Sequence, residues 1–159
     1  MRRREAVTKT LMDSDASTKR LEISREIDAI WCSREAAKFA ADAGFSSNET
    51  WKIAITVSEL TTNVLKFART GTITLCRIQS PRPGIELIVE DQGPGIDDIE
   101  TAVMDGYSEG RFLTDDQWIL ARSGLGAGLG AVRRLMDRVE IENKPEGGVR
   151  VTASKWLEG

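Results

Sequence analysis

The side chains best suited to chemistry lie in residues 47–68, SNETWKIAITVSELTTNVLKFA. At the 100° advance per residue of an α-helix, Lys52, Thr56, Glu59, Asn63 and Lys66 recur in steps of three and four along one face. A carboxylate, a carboxamide and an ammonium group would therefore share one stripe. Because charged residues are normally exposed, the same stripe also fits a merely solvated helix face. The helix alone leaves both interpretations open.

A second candidate is the stretch Asp91-Gln92-Gly93-Pro94-Gly95-Ile96, which follows a predicted strand. Two glycines allow a tight turn whose backbone comes close to a ligand. The carboxylate of Asp91 is an acceptor suited to an exocyclic amine. Glycine turns are also common where no ligand binds, so this stretch too needs support from elsewhere.

A third candidate is the glycine-rich run GLGAGLG at residues 124–130, which leads into a predicted helix. Unpaired backbone N–H groups and the positive dipole end at a helix N-terminus form a cradle for phosphate. The run loosely fits the G-x-G-x-x-A dinucleotide pattern, but no strand precedes it, and the chain contains no P-loop motif. A flexible hinge is the alternative, and it is compatible with phosphate binding because a lid over a nucleotide needs hinges.

The composition excludes several classes of function. The chain of 159 residues, with 40% hydrophobic and 30% charged residues, has the length and composition of one soluble domain. Its net charge of -3 argues against a nucleic-acid partner. The absence of histidine excludes Ser/His/Asp and Cys/His nucleophiles, histidine metal sites and a phosphorylated histidine. Acid or base chemistry is left to carboxylates or lysine.

The cysteines and the hydropathy pattern predict a cytoplasmic protein without a membrane partner. Cys32 and Cys76 are far apart, each within an apolar pattern, so we expect two buried thiols in a reducing compartment. No run of about 18 apolar residues is present, and no apolar signal core follows the N-terminal arginines.

Periodicity and turn signals predict a flexible arm over residues 1–18 and one domain over residues 19–159. The first elements are an edge strand at 20–24, a helix at 28–43 ended by Gly44, and the central helix, capped by Ser47 or Asn48. The residues expected to be buried on the first helix are Ile30, Ala37, Phe39, Ala40 and Ala41, and those on the central helix are Ile53, Ala54, Val57, Leu60, Val64, Leu65 and Ala68.

The second half of the sequence predicts two hairpins separated by a helix. Strands at 72–79 and 85–90 flank a turn, a short helix follows at 98–104, and residues 106–123 are irregular. A helix at 125–136 precedes strands at 137–142 and 149–156. This order predicts an α/β two-layer sandwich, with a mixed, mostly antiparallel sheet and helices on one face.

Together, the three candidate stretches resemble the conserved boxes of the GHKL (histidine-kinase-like) ATPase family. Within that family, the chain is most similar to the small serine/threonine switch kinases and anti-sigma regulatory kinases of bacterial partner-switching systems, including those of the stressosome. The resemblance is carried by Ser58-Glu59-Leu60, residues 90–96, Asp105-Gly106-Tyr107-Ser108, Gly124 to Leu129, residues 134–137 and Lys155-Trp156.

The resemblance implies roles for individual residues toward ATP and Mg²⁺. Asn63 would bind Mg²⁺, and Glu59 would orient or deprotonate the attacking hydroxyl of a protein serine or threonine. Asp91 would bind the adenine amine, and Lys66 would offset phosphate charge. The base would sit on Gly93, Gly95 and Ile96, and the phosphates would sit against Gly124, Leu125, Gly126, Ala127, Gly128 and Leu129.

The resemblance also implies a function: a kinase that phosphorylates a STAS-domain antagonist or scaffold protein and thereby regulates a PP2C-type phosphatase or a sigma factor. Two alternatives stay open, namely an anti-sigma kinase that binds a sigma factor directly and a non-catalytic adaptor with the same fold. Two features depart from the family. Residues 109–123 lengthen the ATP lid, predicted over 106–123, and Val149 replaces a threonine whose hydroxyl helps to bind adenine in many relatives.

Overall fold

A computed structural model describes residues 17–103 and 128–159, together with the backbone of residues 107–108 and 111–112. Nearly all of the predicted arm at 1–18 and most of the predicted lid at 106–123 therefore lie outside the described residues. Thr18, the last residue of that arm, already belongs to the first strand.

The strands are β1 (Thr18–Ile23), β2 (Gly71–Ile78), β3 (Gly84–Asp91), β6 (Arg138–Asn143) and β7 (Val149–Trp156), while β4 (Tyr107–Ser108) and β5 (Arg111–Phe112) form a separate pair. The main sheet has five strands, in the order β1-β2-β3-β7-β6. Hairpins join β2 to β3 and β6 to β7, and the pairs β1-β2 and β3-β7 are antiparallel as well. The main sheet is therefore antiparallel throughout rather than mixed, and β1 is the predicted edge strand.

The helices are α1 (Ile27–Asp42), α2 (Ser47–Phe67), α3 (Ile99–Ala102) and α4 (Gly128–Leu135). Their positions confirm the predicted helices, with ends displaced by up to a few residues. The N-cap of α2 is Ser46 rather than Ser47 or Asn48. The backbone of Ser46 is extended, as is usual for an N-cap residue. Its side-chain oxygen accepts a hydrogen bond from the Glu49 N–H and so satisfies one of the unpaired donors of the first turn.

The buried side of α1 differs from the prediction. Ile30 is 57% exposed, Ala41 is exposed as well, and Ala37 is only half-buried. The buried side instead includes Asp28, whose carboxylate accepts hydrogen bonds from the N–H groups of Ser24 and Arg25. These bonds, led by that from Ser24, lower the pKa of Asp28. The buried residues of α1 are Asp28, Cys32, Ala36, Phe39 and Ala40.

The core lies between α2 and one face of the sheet. Ile53, Val57, Leu60 and Val64 of α2 are buried as predicted, whereas Ala54, Leu65 and Ala68 are half-buried. Burying one such aliphatic side chain contributes about 1.5–3 kcal/mol. The strand residues that share this core are Ile23 of β1 and, alternating along β2, β3 and β7, Ile73, Leu75, Ile85, Leu87, Val89, Val149, Val151 and Ala153. The two-layer sandwich is confirmed.

Both cysteines are free thiols. Cys32 is buried, and burial raises the pKa of its thiol to about 11. Cys76 is only half-buried, contrary to expectation, because it alternates with the core residue Leu75 and lies on the other face of the sheet. In the described part of the chain, no helix has the length and apolar character needed to cross a membrane.

Candidate functional site

A cavity of about 420 Å³ lies where α2, α3, α4, β3 and β7 meet. It falls within the range of ligand pockets, about 300–1,000 Å³. Six of the predicted site residues line it: Asn63, Asp91, Gly95, Ile96, Gly128 and Leu129. Residues far apart in the sequence therefore converge on one cleft.

Helix α2 contributes Asn63 as its polar group in the cavity. The rest of the predicted polar stripe is divided among different environments. Thr56 is completely buried and donates a hydrogen bond to the carbonyl oxygen of Lys52, so it serves the fold. Glu59 is half-buried, one helical turn before Asn63, and Lys66 is exposed. Neither of these two lines the cavity within the described structure.

Asp91 is the last residue of β3, and its carboxylate is held in place by backbone donors. Its Oδ1 atom accepts hydrogen bonds from the N–H of Gly93 at 2.9 Å and from the N–H of Val149 at 3.2 Å. Within the described residues, Oδ2 accepts none. One oxygen is therefore fixed by the protein, and the other can accept a hydrogen bond from a ligand amine. Gly93 supports Asp91 without itself lining the cavity.

The approach of β7 to Asp91 depends on Gly148. Its φ angle is +86°, and a Cβ atom there would lie 2.0 Å from the backbone oxygen of Asp91. Only glycine satisfies both constraints. Gly148 thus allows the N–H of Val149 to reach the Asp91 carboxylate.

The glycine-rich run reaches the cavity through its C-terminal part. Gly128, the first residue of α4, and Leu129 both line the cavity. Gly124, Leu125, Gly126 and Ala127 lie outside the described residues, so their predicted contact with phosphate stays a prediction.

The remaining wall is mostly apolar, and the sequence interpretation did not assign it to a site. Leu60 and Val64 were assigned only to the core, although a residue at the edge of a core also forms the floor of a cleft. The side chain of Asp98 caps α3 by accepting hydrogen bonds from Thr101, which lower the pKa of Asp98. The lining residues that were missed are Leu60, Val64, Phe67, Val89, Pro94, Asp97, Asp98, Ala102 and Val151, whereas Val149, which the sequence already identified as the replacement of a family threonine, also lines the cavity.

The polar groups that line the cavity suit a metal ion that binds together with a phosphate-bearing ligand. No group of three or more His, Cys, Asp or Glu residues is placed to hold a metal ion within the described ranges. Mg²⁺ commonly takes one or two protein oxygens and completes its shell with phosphate oxygens and water. The carboxamide oxygen of Asn63, on the cavity wall, can supply such a ligand.

The comparisons with known proteins identify the family. Residues 29–155 match the family described as histidine kinase-like ATPase domain. The match includes α2, the Asp91 turn, α4 and most of β7, which together surround the cavity. The chain therefore belongs to the family of histidine kinase-like ATPase domains.

Among individual proteins, the chain is 32% identical to the serine/threonine-protein kinase RsbT of Bacillus subtilis (strain 168), over 85% of this chain and 93% of that protein. It is 29% identical to an anti-sigma F factor of Thermoanaerobacter sp. (strain X514), over 76% of this chain and 80% of that protein. A chain in the crystal structure of the SiaB-SiaC complex from Pseudomonas aeruginosa shares the fold, with a TM-score of 0.53 at 10% identity, covering 94% of this chain and 96% of that chain.

Proposed function

We propose that this protein is an ATP-dependent serine/threonine protein kinase of a bacterial partner-switching pathway of the stressosome type. The observation that carries the proposal is the convergence of Asn63, Asp91 and Gly128 on one cavity in a histidine kinase-like ATPase domain. The similarity to the kinase RsbT over most of both chains supports the same assignment.

The cavity offers separate places for the base and the phosphates. Asp91 would accept a hydrogen bond from the adenine amine through Oδ2, while Ile96 and Leu129 provide apolar contact with the ring. The phosphates would extend toward the N-terminus of α4, where Gly128 begins the helix, and toward Asn63. Mg²⁺, held by the Asn63 oxygen, would offset the charge that develops on the transferred phosphoryl group.

Glu59 is the proposed general base. It lies one turn before Asn63 on the same helix, so a hydroxyl docked beside the γ-phosphate would come within reach of its side chain. The serine or threonine oxygen bonds to the γ-phosphorus as the bond to the ADP oxygen breaks, and the carboxylate of Glu59 takes the hydroxyl proton. Positioning and charge stabilisation, rather than covalent chemistry by the protein, supply most of the rate.

The proposed substrate is a STAS-domain antagonist or scaffold protein. Its phosphorylation would release the kinase to a second partner, a PP2C-type phosphatase or a sigma factor, in the cytoplasm where ATP is supplied. The similarity to both RsbT and an anti-sigma F factor supports an exchange of partners of this kind.

The direct test is phosphotransfer from Mg-ATP to a purified cognate STAS-domain protein. We expect Glu59→Gln to lower the transfer rate about 100-fold or more while ADP still binds, because general-base catalysis contributes about 10²–10⁴-fold. We expect Asn63→Ala to lower both transfer and the affinity for Mg-ATP. Glu146→Gln, an exposed glutamate in the turn between β6 and β7, is the matched control for Glu59. Full activity in Glu59→Gln would remove Glu59 from this role.

The second candidate is an anti-sigma kinase that holds a sigma factor directly, and the similarity to the anti-sigma F factor favours it. A pull-down in which this chain retains a sigma factor, and no phosphatase, would select that candidate. The third candidate, a non-catalytic adaptor, predicts no binding of ADP or ATP in calorimetry.

A further inference from the structure

Asn143, the last residue of β6, makes two hydrogen bonds with a single residue of the turn that follows β3. Its Nδ2 atom donates to the carbonyl oxygen of Ile96 at 2.8 Å, and its Oδ1 atom accepts from the N–H of Ile96 at 2.8 Å. This reciprocal pairing resembles that between two residues of adjacent antiparallel strands. It fixes both the position and the orientation of the Ile96 backbone.

Few other interactions hold this turn. Residues 93–97 belong to no helix or strand. Apart from the Asn143 pair, the hydrogen bond from Gly93 to Asp91 is the only one made by their backbone to other described residues. The turn is therefore fixed at its start by Asp91 and at its end by Asn143.

Gly95 shows how closely Asn143 approaches the turn. Its φ angle is +86°, and a Cβ atom there would lie 2.8 Å from the Asn143 Oδ1 atom. Gly95 and Ile96 both line the cavity, on a wall shared with Asp91. Asn143 itself is outside the lining, so it acts on a ligand only through these two residues.

We propose that Asn143 is a positioning residue that sets the selectivity of the cavity for adenine. This inference rests on the proposed nucleotide function. Asp91 selects a base with an exocyclic amine only if the ring is held in one orientation beside it, and the backbone at Gly95 and Ile96 limits that orientation. Without Asn143 the end of the turn moves more freely, so a purine with oxygen in place of the amine is rejected less strongly.

The test compares ADP with IDP, which carries that oxygen, by calorimetry on the full chain. We expect Asn143→Ala to weaken ADP binding about tenfold, equivalent to about 1.4 kcal/mol, and to weaken IDP binding much less. The ratio of the two dissociation constants therefore falls. Asn143→Asp keeps an acceptor for the Ile96 N–H but places a carboxylate oxygen against the Ile96 carbonyl oxygen, so it should lower the ratio as well. Glu146→Ala in the next turn should leave the ratio unchanged.

If Asn143→Ala leaves the ratio of the ADP and IDP dissociation constants unchanged, the proposal is wrong. This holds if the variant binds both nucleotides as tightly as before. It also holds if the variant binds both less tightly to the same extent, because an equal loss indicates a purely structural role. If Asn143→Ala does not fold, Asn143→Asp carries the same comparison. If the unchanged protein binds neither ADP nor ATP, the proposed function itself fails, and that result is distinct from a failure of Asn143 alone.

Discussion

The two oxygens of the Asp91 carboxylate have different roles. Oδ1 is held by two backbone N–H groups, one from its own turn and one from β7. This arrangement orients the carboxylate before a ligand arrives, which reduces the cost of ordering it on binding. Asp91 therefore offers an acceptor whose orientation the protein fixes before a ligand binds.

Val149 is the residue at which the resemblance to the GHKL family predicts a threonine. Its N–H holds Asp91, and its side chain lines the cavity. We predict that Val149→Thr strengthens ADP binding a few-fold, since one added hydrogen bond contributes about 0.5–1.5 kcal/mol. Calorimetry with ADP measures the effect. Thr152, the threonine within β7, does not supply this hydroxyl, because it alternates with Val151 onto the other face of the sheet and does not line the cavity formed by the described residues.

The control for Val149→Thr is Val139→Thr, which makes the same change on β6, away from the cavity lining. We expect that control to leave ADP affinity unchanged. Equal or weaker binding in Val149→Thr would show that the base lies too far from this position for the hydroxyl to contribute.

At the scale of elements, a buried lysine joins α2, α4 and β7. Lys155 is 4% exposed, and its Nζ atom lies 2.8 Å from Glu49 Oε2 and donates to the Leu135 carbonyl oxygen at 2.9 Å. Asp137 Oδ1 is 3.8 Å away. These contacts fix the C-terminal end of α4, the helix whose first residue lines the cavity. The lysine therefore helps to hold α4, and with it this side of the cavity, in place.

We predict that Lys155→Ala lowers the free energy of unfolding by about 1–3 kcal/mol, because it removes the buried partner of Glu49, a partly exposed carboxylate that keeps its ion pair with Lys52. Urea denaturation measures this change. Lys38→Ala, on the exposed face of α1, is the control and should change stability little. If Lys155→Ala lowers the free energy of unfolding by less than about 1 kcal/mol, the value typical of an exposed ion pair, then the contacts of Lys155 do not hold α4.

The same network predicts a dependence of stability on pH. The hydrogen bond from Lys155, followed by that from Lys52, lowers the pKa of Glu49 from its usual 4.5. A carboxyl group with a lowered pKa in the folded state stabilises the protein above its usual pKa, and this contribution is lost as pH falls through the lowered value. Glu49→Gln should therefore make stability fall less steeply between about pH 6 and pH 3. An identical slope in the variant and the unchanged protein would contradict this.

The elements themselves were largely predictable from local patterns. Strand alternation and turn residues identified both hairpins, and the 3.6-residue period identified α2 with four of its buried residues. The buried side of α1 was not predictable in the same way. Asp28 faces inward because its carboxylate satisfies backbone donors that precede the helix, and a hydropathy pattern counts such a residue as exposed.

At the scale of the whole molecule, the polar half of the site was more predictable than the apolar half. Asn63, Asp91 and Gly95 were recognisable because their chemistry and their order in the chain resemble the family boxes. Val89 and Val151 were not, because a valine on the cavity wall has the same local pattern as a valine in the core. Asn143 was also missed, since its contact with Ile96 joins residues 47 positions apart and depends on the tertiary fold.

Calorimetry of ADP binding with Asp91→Asn tests most directly whether the cavity formed by Asn63 and Asp91 holds an adenine nucleotide. We predict that this variant binds ADP about 100-fold or more weakly, because the amide cannot serve both the backbone donors and the adenine amine as the carboxylate does. Asp42→Asn, the same change on the exposed end of α1, should bind ADP as the unchanged protein does. Equally strong ADP binding by Asp91→Asn would show that Asp91 does not bind the adenine amine.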